Sequence, residues 1–261
     1  MTPITDITDP RVAPYVNVVD PRSDESTTHF LVESENVVKR FLASDFECES
    51  VLCADHKADR FVSLVKPGTA LLTADRRVVN DIMGYKFHSG VMALGRRKID
   101  RPVDDLVSNE KPCTLVVLPE LTDPTNIGAI IRTAAAFGAT GVLLGEQCRD
   151  PFIRQTIRIS MGTIFYLPII RTLNIRADLI RLRDSHNVQL CAGVLTDNAI
   201  SLSDARPKPR RAILFGNEGS GLEPDIVSLC DLHVTIPMQL GTDSLNVAAC
   251  AAVMLYAFNQ G

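Results

Sequence analysis

From residue 113 onward, short apolar runs alternate with helical patterns. This predicts an α/β fold: a parallel sheet covered by helices on both faces. Two further observations shape the prediction. A charged stretch with two prolines, residues 99–112, reads as a linker between that region and a smaller α/β unit before it. The chain then closes on a run after Asn246 that is apolar nearly all the way round, which predicts a buried final helix.

The elements follow from local pattern. Residues 1–25 are rich in Pro, Asp and Thr without a period and read as an arm with little structure of its own. A small domain spans 26–98. Its predicted strands are Phe30–Val32, Val51–Cys53, Ala70–Leu72 and Gly90–Leu94. Its predicted helices are Asn36–Ala43 and a segment to Met83 that Asp75 can cap. In the larger domain, 113–261, strands are predicted at Thr114–Leu118, Gly141–Leu144, Ile164–Leu167, Gln189–Leu195, Ala212–Phe215 and His233–Ile236. Helices are predicted from Asn126 to about Phe137 and over Pro151–Met161, Ile175–Arg183 and Pro224–Leu229, before the final one. Asn126 sits where an N-cap belongs, and Ser244 is the natural cap of the last helix.

Composition narrows the function. Nearly half of the 261 residues are apolar, enough for a sizeable core. No stretch of eighteen apolar residues exists, so no membrane span is expected. The N-terminus does not read as a signal peptide. Seven scattered cysteines suggest small core residues in a reducing, cytoplasmic setting. The five histidines have no ligand spacing, so no metal is expected. A net charge of −4 argues weakly against a nucleic-acid partner, yet local basic clusters remain possible contacts. These include Arg76-Arg77, Arg96-Arg97-Lys98 and the series Arg149, Arg154, Arg158.

Ligands of a parallel sheet sit at the carboxyl ends of its strands, here the loops after Leu118, Leu195, Phe215 and Ile236. Those loops carry distinctive polar residues. Asn126 and Arg132 follow the first, and Arg132 lies roughly 120° off the apolar stripe of its helix. Glu218 lies inside Gly216-Asn217-Glu218-Gly219-Ser220-Gly221, a turn that matches neither a P-loop nor the dinucleotide fingerprint. Ser244 and Asn246 open the final helix. Taken singly, these residues read as caps and a surface arginine; together they converge on one edge.

In combination they carry a resemblance. DPTNIGAIIRTAAAFGATGVLL, ILFGNEGSGLEPDI and IPMQLGTDSLNVAACAAVMLYAF, with RISMGTIFYLPI between them, resemble the sequential motifs of the SpoU (TrmH-like) branch of the SPOUT RNA methyltransferases. Residues 28–97, ending in GVMALGRR, resemble the L30e-like substrate-binding domain, with Glu33-Ser34 where relatives usually have Glu-Gly. The resemblance implies a trefoil-knotted catalytic domain that forms a homodimer, and transfer of a methyl group from S-adenosylmethionine to a ribose 2′-hydroxyl of RNA. It implies catalytic positions at Arg132, Asn126, Glu218, Ser244 and Asn246, with Asn126 and Glu218 orienting Arg132. Cofactor contacts fall at Leu195, Gly216, Ile236, Ser244 and Leu245. RNA contacts in the small domain are expected at Arg76, Arg77, Arg96, Arg97 and Lys98. The two-domain layout favours 23S rRNA over tRNA. The alternatives are a tRNA 2′-O-methyltransferase, a non-catalytic RNA-binding protein on the same fold, and a nucleotide-dependent enzyme with a doubly wound sheet.

Overall fold

The computed structural model describes residues 1–16, 28–99, 101–107, 111–196, 198–240 and 242–259. The chain divides into two compact units. The first comprises Met1–Ile99 with Pro151–Tyr166, and the second Asp100–Asp150 with Leu167–Gly261.

The first unit contains β1 (Thr2–Ile4), β2 (His29–Glu33), α1 (Glu35–Ala43), β3 (Cys48–Ala54), α2 (Asp59–Val62), β4 (Ala70–Ala74), α3 (Arg76–Met83) and β5 (Val91–Arg96). Its sheet runs β1-β4-β3-β5-β2. β1, β4 and β3 are mutually parallel, and β5 is antiparallel to both β3 and β2. Asp75 caps α3 as its sequence suggests, accepting from the Arg77 amide. The arm departs from expectation. Thr2–Ile4 adds a strand to the sheet edge, and a 3₁₀ turn over Pro10–Tyr15 buries Val12 and Tyr15. The Tyr15 hydroxyl donates to the Ser50 carbonyl at 3.0 Å. A proline- and aspartate-rich composition hid a buried aromatic anchor; residues 17–25 of the arm lie outside the described residues.

The second unit contains β6 (Cys113–Leu118), α4 (Pro124–Ala136), β7 (Gly141–Leu144), β8 (Ile169–Arg171), α6 (Ile175–His186), β9 (Gln189–Gly193), β10 (Ile200–Ser201), β11 (Arg210–Leu214), α7 (Pro224–Leu229), β12 (Leu232–Thr235) and α8 (Val247–Phe258). Helix α5 (Arg154–Ile159) belongs to the first unit. The sheet order is β10-β12-β9-β11-β6-β7-β8, parallel throughout. Side chains alternate across it. Leu115, Val117, Leu143, Leu190 and Leu214 pack with Leu179, Leu182 and Ile226 of α6 and α7. Val116, Leu118, Val142 and Ile213, of the other parity, are equally buried, so both faces are covered.

Two segments differ from their sequence reading for packing reasons. The stretch read as linker forms a 3₁₀ turn, Val103–Leu106, and buries Val103, Leu106 and Val107 in the second core. The apolar run Ile164–Leu167 is not a strand. Gly162 is left-handed at φ +79°, and Thr163–Phe165 forms a 3₁₀ turn. Sheet pairing starts only at Pro168, whose carbonyl accepts from the Val142 amide at 2.9 Å. Phe165 instead joins Phe30, Phe41 and Phe46 in an aromatic cluster of the first unit.

Candidate active site

The carboxyl ends of β9, β11 and β12 and the start of α8 surround a cavity of about 600 Å³. Three of the four loops named from sequence meet here. Leu195, Gly216, Ile236, Ser244 and Leu245 all line it. Among the described residues, none of these five uses its backbone amide or carbonyl in a hydrogen bond. The apolar wall comes from Phe215, Val234, Val247 and Met254. Sequence reasoning missed that wall; Val247 and Met254 lie seven residues apart on one face of α8, which is the signal that could have shown it. Cys250 also lines the cavity, and burial pushes its thiol up to about 11, so it stays protonated at neutral pH.

The glycine-rich turn is closed by its own backbone. The Asn217 amide donates to the Gly221 carbonyl at 3.0 Å, and the Gly221 amide donates back at 2.9 Å. A side chain at Gly216 would meet the Gly221 carbonyl carbon at 2.2 Å, so glycine is required there by the turn itself. Gly221 sits at φ +70°. The turn presents Glu218 outward at the cavity rim.

The polar residues are linked in a chain. The Asn246 Nδ2 donates to Asn126 Oδ1 at 3.0 Å, and Asn126 Nδ2 donates in turn to Glu218 Oε1. Residues 120 apart in sequence are thereby joined. Both helix starts differ from expectation, and the differences explain the chain. Helix α4 begins earlier, with Asp123 as cap accepting from the Thr125 amide at 2.8 Å and Pro124 in the first turn. Asn126 is therefore not a cap; it is buried, at 6% exposure, with its whole side chain free for the site. At α8 the cap is Asn246, not Ser244: its Oδ1 accepts from the Ala248 and Ala249 amides at 2.9 and 3.4 Å. Gly241, read as the turn before this helix, lies outside the described residues.

Arg132 stands apart. It is exposed on α4, as its angle off the apolar stripe predicts, and does not line the cavity. Among the described residues it makes no hydrogen bond or ion pair. Asn126 bonds to both Glu218 and Asn246, and within one chain neither Asn126 nor Glu218 bonds to Arg132.

The basic residues of the first unit separate into two kinds. Arg76 and Arg77 are exposed at the start of α3. Arg96 is paired with Glu49 at 2.6 Å, and Lys98 with Asp45 at 2.6 Å while lying 4.2 Å from the Phe46 ring centre. Arg97 donates to the His29 carbonyl at 3.3 Å and lies over Phe152. Arg96 and Lys98 are thus ion-paired in the folded chain, whereas Arg97 meets a carbonyl and a ring. Among the described residues no group of three or more His, Cys, Asp or Glu gathers as a metal site, and no helix is long and apolar enough to cross a membrane.

Known proteins match the sequence and the fold. Residues 114–256 match the SpoU rRNA Methylase family. A tRNA/rRNA methyltransferase of Mycobacterium bovis, itself uncharacterized, is 34% identical over 97% of this chain and 90% of its own. The 23S rRNA (guanosine-2′-O-)-methyltransferase RlmB of Acinetobacter baylyi is 29% identical over 77% of this chain and 83% of its own. The structure of an AdoMet-bound rRNA methyltransferase from Sinorhizobium meliloti superposes with a TM-score of 0.86, covering 99% of this chain and 97% of its own at 26% identity.

Proposed function

The chain belongs to the SpoU rRNA methylase family, a SPOUT RNA methyltransferase family, and from that premise we propose that it methylates a ribose 2′-hydroxyl of structured RNA, with S-adenosylmethionine as donor and 23S rRNA as the favoured substrate. The similarity to the Acinetobacter 23S rRNA enzyme supports the ribose position and the rRNA, and the AdoMet-bound neighbour supports the donor. The observation that carries the reading is the Asn246–Asn126–Glu218 chain, whose two ends, Asn246 and Glu218, line one cavity.

The cavity fits the donor chemically. A nucleoside needs backbone donors and acceptors for the edge of its base and apolar surface for the ring faces. The unused backbone groups of Leu195, Gly216, Ile236 and Leu245 meet the first need, and Phe215, Val234 and Met254 the second. When bound, S-adenosylmethionine supplies an electrophilic methyl group. The chain's own residues hold the ribose and manage the proton. Asn246, pinned by two amides of α8, fixes Asn126, which fixes one oxygen of Glu218. The second Glu218 oxygen has no partner among the described residues and receives the hydroxyl proton. Ser244 lines the donor pocket and positions the ribose. Arg132, exposed and without a partner among the described residues, suits the phosphate beside the target ribose.

A homodimer through the second unit is part of this proposal. Helix α8 is not buried all round: Val253 is 41% and Tyr256 56% exposed, and Ala249 lies on the same open side. An apolar stripe of this kind calls for a partner. The test is transfer of labelled methyl from S-adenosylmethionine into total RNA, wild type against Arg132→Ala, with the labelled nucleoside identified. Label in a 2′-O-methylribose that disappears in the variant is the expected result. Label in a base would overturn the ribose assignment, and donor binding without any label would favour the non-catalytic RNA binder.

A further inference from the structure

The first unit carries an exposed aromatic loop that none of its expected RNA contacts includes. Helix α3 ends at Gly84, left-handed at φ +78°, and the chain emerges as Tyr85-Lys86-Phe87-His88. Phe87 anchors this loop: it is buried, and its amide donates to Asn80 Oδ1 at 2.8 Å. At the far end Lys57 Nζ donates to the Ser89 carbonyl at 2.7 Å. Held at both ends, the loop leaves Tyr85, Lys86 and His88 exposed. The Tyr85 ring stands edge-on to Phe87, with centres 5.8 Å apart and planes at 81°.

Beside it lies a built cationic group. Glu33 is buried at 7% exposure, and two guanidiniums converge on it: Arg158 at 2.9 Å and Arg154 at 3.7 Å. Arg154, held on the same carboxylate, also hydrogen-bonds the Tyr85 side chain, which places the ring beside the pair. The Arg158 cation stays at the surface, its side chain 57% exposed. Arg158 spends only Nη1 on Glu33; its Nε and Nη2 bond to nothing among the described residues. That leaves an oriented guanidinium edge, the shape that matches phosphate oxygens. An exposed aromatic ring beside such an edge suits an unpaired nucleotide, whose base stacks while its phosphate is paired.

We propose that Tyr85 and Arg158 form a nucleotide-reading patch of the first unit, Tyr85 stacking on an unpaired base of the substrate RNA and Arg158 taking the adjoining phosphate. The proposal rests on RNA being the substrate.

The experiment measures the Kd of the full-length protein for total ribosomal RNA and for total tRNA across a salt series. It also measures the KM and kcat of methyl transfer on the preferred RNA. Tyr85→Ala is expected to raise Kd and KM by roughly 5- to 150-fold, the loss of one stacked base. Tyr85→Phe keeps the ring and is expected to bind as wild type. Arg158→Gln leaves Arg154 on Glu33 and is expected to lower the salt slope by about one. Thermal melts of each variant check folding. Wild-type Kd and KM in a folded Tyr85→Ala overturn the patch while leaving the methyltransferase reading intact. Equal losses in Tyr85→Ala and Tyr85→Phe overturn the stacking role. A wild-type protein that methylates RNA on a base rather than on ribose overturns only the ribose assignment of the previous section, and the patch is still judged by Kd.

Discussion

Asn126 has both of its side-chain functions committed, one to Asn246 and one to Glu218. Asn126→Ala removes the middle of the chain, leaving Glu218 unguided. Because misplacing a reacting group slightly costs orders of magnitude, kcat is expected to fall by about 10²-fold or more with donor binding unchanged. Single-turnover methyl transfer and donor titration together check this. Asn126→Asp is expected to be worse at neutral pH and to recover partly as the pH falls, because a carboxylate facing Glu218 holds the contact only when one of the two is protonated. A pH–rate profile reads that sign directly. Ser34 is a residue of the opposite kind, working against its backbone. It sits at φ +77° and ψ 142°, a region only glycine occupies comfortably. Ser34→Gly is expected to stabilise the protein by about 1 kcal/mol, seen as a higher midpoint in urea with an unchanged m-value. Sequence resemblance had marked this position by its missing glycine, and the backbone supplies the physical cost.

At the scale of elements, α8 joins stability to chemistry through its cap. Asn246 satisfies two first-turn amides with Oδ1 and reaches Asn126 with Nδ2. The two functions can be separated. Asn246→Ala loses the cap, about 1 kcal/mol, together with the site. Asn246→Asp keeps an oxygen for the cap and places a negative charge at the helix start, but has no donor for Asn126. It is expected to melt at or above the wild-type temperature while its turnover collapses; an active Asn246→Asp would show that the Asn126 contact is dispensable. Ser244→Ala, outside the cap, is expected to leave stability unchanged.

At the scale of the whole molecule, two expectations follow from surface charge and surface apolarity. Lys39, helped by Arg60, holds the Glu35 carboxyl down to about 2, and Arg96 lowers Glu49. A carboxyl whose folded pKa is depressed stabilises the fold above its ordinary value, and that contribution is lost as the pH falls through the folded value. Stability is therefore expected to decline from about pH 4.5 toward 2, and less steeply in Glu35→Gln, as read by urea midpoints across that window. Glu35 is partly exposed, so solvent screening keeps the effect small. The open side of α8 gives the second expectation. Val253→Asp is expected to shift the protein toward monomer in sedimentation at constant concentration, whereas an unchanged mass would place the dimer contact, if any, elsewhere.

The sequence by itself determined the alternation of elements and the edge at which function gathers. Strand and helix periods are local, so β6, β7, α7 and the core of α8 are legible from a few residues each. The polar residues Asn126, Glu218, Ser244 and Asn246 were legible as a set because each follows a strand that ends on the same edge. Tertiary structure decided what each of them does. Whether Asn246 or Ser244 caps α8 depends on where the incoming chain turns, and whether Asn126 caps α4 depends on Asp123 and Pro124 starting the helix earlier. Composition cannot tell an apolar strand from an apolar turn buried in another core, so Ile164–Leu167 reads as a strand although Phe165 turns to meet Phe30 and Phe41. Charge counting likewise cannot tell a spent cation from a free one. Arg96, Lys98 and Arg158 each meet a carboxylate distant in sequence, while Arg132 meets none among the described residues, and only the folded chain brings those partners within reach.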